Sequence, residues 1–202
     1  MKVKFYTKVV SYFIIFSLFL TNILGASMPD TFKITTDKQP LYTVQYDGYN
    51  ITARKLRIEG SNNVIYCLEI NRNYPTGQNF SISDEINEKL NNMLAAGYPN
   101  RSVTELNLDN ENEAYFATQI AIWSLIAGYD VTKMKGDNPK IIAAINNIYN
   151  DGINAKYNNV IQSKIYKTND PSIQEVVVIS VDDLISEEKA ETKQAEYPPQ
   201  EG

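Results

Sequence analysis

The 202-residue chain has no histidine, one cysteine and one tryptophan. Without histidine there is no Ser-His-Asp triad, no Cys-His pair and no imidazole ligand for zinc. A single cysteine excludes an internal disulfide, a CxxC redox pair and a cysteine-cluster metal site. No metal or cofactor is expected. Chemistry falls to carboxylates, hydroxyls, amines, amides or one sulfur. Basic stripes are also missing, and the formal charge is −5, which argues against a nucleic-acid partner. What is abundant is apolar and aromatic: 43% apolar residues, with 14 tyrosines, predict a folded domain with a real core.

The two ends read differently from the middle. Residues 1–26 predict a secretory signal peptide, with Lys2, Lys4 and Lys8 before an apolar run from Val9 to Leu20. Leu24-Gly25-Ala26 offers a cleavage site with a small last residue. The run is short for a membrane span, so the mature chain is expected to be exported and not inserted in a membrane. Residues 182–202 hold seven acids, two lysines and Pro198-Pro199, and read as an acidic linker or tail. The domain is expected over 27–181.

Within 27–181 the pattern runs strands, helices, strand. Thr31–Thr35, Leu41–Tyr46, Ile51–Ile58 and the apolar run Val64–Ile70 are predicted strands, with turns at Asp47-Gly48 and Gly60-Ser61-Asn62. A helix is predicted from a Ser83 cap, with Ile86, Leu90, Met93 and Leu94 as its stripe, ending at Gly97. A second, nearly all-apolar helix is predicted from Asp109 or Asn110 to before Gly128. A third runs from Pro139 to about Asn159, with Gly152 a candidate kink. Ile173–Val181 is a final predicted strand. This order predicts an α+β fold, with a mostly antiparallel sheet and helices packed at one side.

Two residues stand out chemically. Gln119 interrupts the buried helix, four residues after Tyr115 and four before Trp123, on one face with both. Its amide has four hydrogen-bonding positions to satisfy. Cys67 is the only thiol and lies in the most apolar predicted strand, with no basic residue within four positions. Each has a plain explanation: a core cysteine, and a glutamine bonded to backbone or tyrosine. Together they have a chemical one. A thiol and a carboxamide can condense, with loss of ammonia, to an internal thioester.

Tyr66-Cys67-Leu68-Glu69 resembles the cysteine motif of Gram-positive surface thioester domains. Thr118-Gln119-Ile120-Ala121-Ile122-Trp123 resembles their TQxA glutamine motif, and Gly97-Tyr98-Pro99 also suits the family. The similarity spans roughly 40–165. The resemblance implies an antiparallel β-sandwich or barrel part beside a helical part, with a Cys67–Gln119 thioester at their junction. It implies a cell-surface adhesin that bonds covalently to a host or matrix protein, with stalk domains downstream.

In that reading a partner lysine attacks the Gln119 carbonyl carbon and Cys67 leaves as a thiol. Tyr115 and Trp123 are the expected shield against water, and Tyr66 a weaker one, because adjacent strand residues point to opposite faces. Glu69, two residues after Cys67, shares its face on a regular strand. The missing histidine favours an amine over a hydroxyl nucleophile. Such a domain reacts once and is not a turnover enzyme. The alternatives are a non-covalent surface module of the same fold and, weaker, a cysteine-dependent hydrolase or acyltransferase, for which no base is evident.

Overall fold

A computed structural model describes residues 28, 30–83, 86–157 and 162–181. The expected signal peptide, the expected acidic tail from 182 and the expected helix end at Asn159 lie outside them. Eight strands and three α-helices are described. The strands are β1 (Thr31–Thr36), β2 (Thr43–Tyr46), β3 (Tyr49–Thr52), β4 (Leu56–Ile58), β5 (Val64–Cys67) and β6 (Asn79–Ile82). The helices α1 (Glu88–Ala96), α2 (Glu111–Ala127) and α3 (Pro139–Ile153) follow, then β7 (Ser163–Lys167) and β8 (Val176–Ile179).

Six strands form one antiparallel sheet in the order β4-β1-β6-β7-β8-β5. The expected α+β class is therefore observed, as a nearly closed sheet packed with helices. β2 and β3 form a separate hairpin. Its turn residues Asp47 and Gly48 both have positive φ, the combination that matches strand twist in a two-residue hairpin.

Three expectations need correction. The predicted strand Ile51–Ile58 is two strands in different sheets, broken at 53–55 where Ala53 and Lys55 carbonyls accept from Leu41 and Asp37. Ser83 does not cap α1. Its backbone N–H donates to the Ile165 carbonyl and extends the β6–β7 pairing, and the cap is Asn87, whose side chain accepts from Leu90 N. The third helix stops at Ile153, one residue after Gly152. β6 and β7 were not anticipated: each is short and half polar, and their place comes from pairing with each other and with β1 and β8.

The second helix matches its prediction closely. Asn110 caps it by accepting from Glu113 N, and Gly128 ends it in the left-handed conformation at φ 71°. It is buried on all sides from Glu113 to Ser124. It packs against α1, α3 and β5, so one polar side chain on it faces the end strand of the sheet.

Candidate functional site

β4 and β5 are the two edge strands of the open sheet, and an edge strand carries unpaired backbone groups. On β5 the edge-facing groups belong to alternate residues, here Ile65 and Cys67. Side chains of α2 satisfy them. The Tyr115 hydroxyl donates to the Ile65 carbonyl at 2.6 Å and accepts from Leu56 N of β4 at 3.3 Å. One turn later, Cys67 N–H donates to Gln119 Oε1 and Gln119 Nε2 donates to the Cys67 carbonyl, both at 2.8 Å. The carboxamide thus pairs with Cys67 as a neighbouring strand's peptide would.

The spacing that permits this is simple. Four residues of helix advance about 6 Å, and two residues of strand advance about 6.7 Å. A helix laid along an edge strand can therefore meet alternate peptide groups with residues i and i+4. Tyr115 also bridges β4 to β5, closing with one hydroxyl the seam that no strand fills. Beside that seam is a cleft of about 230 Å³, lined among others by Lys55, Arg57, Asn63, Tyr98, Glu111 and Tyr115.

Thr118, next to Gln119, fastens the loop after α1. Its hydroxyl donates to the Ala114 carbonyl and accepts from Tyr98 N, both at 2.9 Å. A Cβ on Gly97 would lie 2.4 Å from Thr118 Cγ2, so this approach needs glycine. The Tyr66 hydroxyl donates to the Tyr98 carbonyl at 2.7 Å. The Gly97-Tyr98 segment is therefore held between α2 and β5, near the Cys67–Gln119 contact. The Tyr98-Pro99 peptide is cis.

The family model for the thioester domain matches residues 64–154, a span that includes Cys67, Thr118 and Gln119. These residues belong to the thioester-domain family. Solved structures agree in fold. The Streptococcus pyogenes pilus tip adhesin Cpa, N-terminal domain, is 16% identical at a TM-score of 0.53, with 77% of this chain and 96% of that one covered. The N-terminal thioester domain of the fibronectin-binding protein SfbI, from the same species, is 15% identical at 0.54, with 78% and 98% covered. The Bacillus anthracis TIE protein is 17% identical at 0.56, with 67% of this chain covered. Only 26% of that longer chain is spanned. A comparison with curated protein sequences finds no match. Relatives are surface proteins, and among the described residues no helix is long and apolar enough to cross a membrane.

In this thioester domain Cys67 and Gln119 are both buried. Burial pushes the Cys67 thiol pKa up, and the Glu69 charge adds to the rise. A standing thiolate is thereby disfavoured. The Tyr66 ring stacks on Tyr115 with centroids 4.8 Å apart. Trp123 is buried one turn beyond Gln119, and its Nε1 has no hydrogen-bond partner among the described residues. Glu69 lies past the end of β5, and its charge bears on the Cys67 thiol. One oxygen accepts from Glu175 N and the other pairs with Arg72 at 3.0 Å.

Sequence reading missed Tyr74. Burial, then the charge of a Cys67 thiolate, raise its pKa to about 12, and its hydroxyl accepts from Arg54 N. Nothing in the local sequence separates it from the other 13 tyrosines. Burial also raises Tyr66 and Tyr115. Because these folded values lie above the ordinary value near 10, the fold binds more protons than the unfolded chain above pH 10. Stability is full below that pH and is lost as pH rises through the folded values. A tyrosinate absorbance titration is expected to show these three ionising only as the fold melts, in an alkaline step tracked by circular dichroism. Smooth ionisation of every tyrosine near pH 10, with the fold intact, would contradict it.

Proposed function

We propose that Cys67 and Gln119 condense to an internal thioester, and that the domain uses it to bond a lysine of a host or matrix protein. The observation that carries this is the paired 2.8 Å contact between the Gln119 carboxamide and the Cys67 backbone. It holds the carboxamide against the residue whose thiol would attack it. Sγ adds to Gln119 Cδ, and the charge that develops on Oε1 is held by Cys67 N–H, as in an oxyanion hole. Nε2 takes the thiol proton and leaves as ammonia. When an amine later attacks Cδ, the C–S bond breaks, one amine proton passes to Sγ, and an isopeptide-type amide remains. The raised thiol pKa fits a sulfur that leaves protonated. The stacked rings of Tyr66 and Tyr115, with Trp123 buried one turn beyond Gln119, keep water from the bond. The reaction runs once per molecule.

The exported, surface-attached location and the downstream stalk belong to the same proposal. They are supported by the family and by surface adhesins of like fold.

A second reading has its own observation. The Gln119 amide is satisfied by the Cys67 backbone, so burial alone does not require it to react. That is the non-covalent surface module. A cysteine hydrolase is disfavoured by the lack of a histidine to act as its base. Intact mass separates these readings. The purified domain is expected to weigh one ammonia less than its sequence, and the Cys67→Ala variant to show no deficit. A native mass equal to the sequence mass, with a thiol titratable on denaturation, overturns the thioester, and multiple turnover of an amide or ester substrate then separates the hydrolase from the non-covalent module.

A further inference from the structure

Tyr115 shows how the open seam between β4 and β5 is bridged. Its hydroxyl accepts from Leu56 N and donates to the Ile65 carbonyl, so one O–H stands in for a missing strand. Every pairing around the six-stranded sheet is antiparallel, so β4 and β5 also run in opposite directions. The next position along the seam is therefore two residues back on one side and two forward on the other. It sets Arg54 N opposite the Cys67 carbonyl. Alternation holds on the Arg54 side, because the Ala53 and Lys55 carbonyls turn the other way, to Leu41 and Asp37. A second tyrosine stands at this position. The Tyr74 hydroxyl accepts from Arg54 N at 3.3 Å, the distance at which Tyr115 accepts from Leu56 N. The Tyr74 proton has no acceptor among the described residues. The carbonyl opposite is already filled, because Gln119 Nε2 donates to it at 2.8 Å. After burial, the charge of a Cys67 thiolate is the next cause that raises both Tyr74 and Tyr115, as fits two hydroxyls that flank Cys67.

Condensation empties that carbonyl, because Nε2 leaves as ammonia and takes its N–H with it. Cys67 is fully buried, and a buried acceptor stripped of its donor is costly. We propose that Tyr74 is a positioning residue for the thioester state: its hydroxyl, anchored on Arg54 N, donates to the Cys67 carbonyl once the ammonia has left. The inference rests on the thioester reading and deepens it. No covalent bond changes in this step. One O–H takes over from one N–H, and the seam gains at Arg54 and Cys67 the bridge that Tyr115 already makes at Leu56 and Ile65. In the amide form the Gln119 carboxamide holds residue 67 at both backbone groups. In the thioester form Tyr74 holds the carbonyl in its place. Without Tyr74 the remaining donor is water. A water on that carbonyl would occupy the place Nε2 had, beside the electrophilic Cδ, where it could hydrolyse the bond. Tyr74 thereby keeps both the strand edge and the thioester in order until a partner arrives.

The test compares two states of the purified chain. One is the parent with its thioester, recognised by the ammonia deficit in intact mass. The other is the Cys67→Ala variant, which keeps the Gln119 amide. Crystal structures of the two are expected to place the Tyr74 hydroxyl within about 3.0 Å of the residue-67 carbonyl oxygen in the thioester form, and beyond about 3.5 Å in the amide form. This pair decides the geometry without any change at Tyr74. Tyr74→Phe in the parent then tests the consequence. It is expected to gain the mass of one water on standing at least about fivefold faster than the parent, the factor that one net hydrogen bond supplies. Amide exchange at Arg54 is the control for a merely structural role. The variant is expected to speed it equally in the thioester and Cys67→Ala backgrounds, because that bond belongs to both states. A thioester form whose residue-67 carbonyl takes a water or no donor, or a variant that gains water at the parent rate, overturns the role of Tyr74 and leaves the thioester in place. Absence of the ammonia deficit in the parent overturns both.

Discussion

Gln119→Glu is expected to destabilise the domain by about 3–5 kcal/mol at neutral pH, the range seen when a buried charge is left without a partner. The exchange replaces one atom group. Oε1 keeps its bond from Cys67 N–H, but the second oxygen meets the Cys67 carbonyl, acceptor against acceptor. A protonated carboxyl would restore the donor, so the folded protein holds the proton more tightly than the unfolded chain. The carboxyl pKa therefore rises above its ordinary value near 4.3. With a raised folded pKa, stability is full below the unfolded value and falls as pH rises through the folded one. The comparison is made in a Cys67→Ala background, where no thioester can form and the backbone of residue 67 is retained. Urea unfolding of the single and double variants at pH 7 and pH 5 is expected to show the gap narrowing toward acid. A gap independent of pH would mean the carboxylate is not held against the Cys67 carbonyl. In the parent background the variant is also expected to lose the ammonia deficit, since a carboxylate has no amide nitrogen to expel.

Tyr115→Phe removes one oxygen and leaves two buried backbone groups unpaired. Leu56 N and Ile65 O both depend on that hydroxyl, and both residues are almost wholly buried. At about 1–3 kcal/mol for each unsatisfied group, the expected loss is about 2–6 kcal/mol. Tyr66→Phe is the control. It removes a hydroxyl that donates to one backbone carbonyl, Tyr98 O, and is expected to cost about half as much. The ring stacking of Tyr66 on Tyr115 is unchanged in both. Tyr115→Phe has a second readout, because the hydroxyl closes the β4–β5 seam beside the cleft. On standing, the variant is expected to gain the mass of one water, as hydrolysis of the thioester, faster than the parent. Denaturant melts with a loss below about 0.5 kcal/mol, and an unchanged rate of water gain, would sink the bridging role.

Both expectations come from one arrangement that no local segment contains. The cap residues of α2 could be read directly, since Asn110 and Gly128 act through their own backbone neighbours. The Asp47-Gly48 turn is equally local. Ser83 misled because its backbone was already committed to Ile165, 82 residues away, which the sequence around it does not record. β6 and β7 escaped for the same reason. Their residues are neither strongly alternating nor strongly apolar, and they are strands because β1 and β8 flank them.

The sequence by itself determined the components: an α+β order, a buried helix with Gln119 between two aromatics, a lone Cys67 in an apolar strand, and the paired motifs of the thioester family. It excluded histidine chemistry and disulfides by simple count. Only the tertiary structure decided how those components meet. Helix α2 lies along the open edge of β5, and the near match of four helical residues to two strand residues aligns Tyr115 with Ile65 and Gln119 with Cys67. The sequence placed Glu69 on the Cys67 face and made Tyr66 a minor shield. In the fold Glu69 accepts from Glu175 N and pairs with Arg72 while its charge still bears on Cys67, and Tyr66 stacks on Tyr115. The physical reason is that unpaired edge groups must be satisfied by whatever packs against them. Which side chain does so depends on the position of a distant helix, not on the residues of the edge itself.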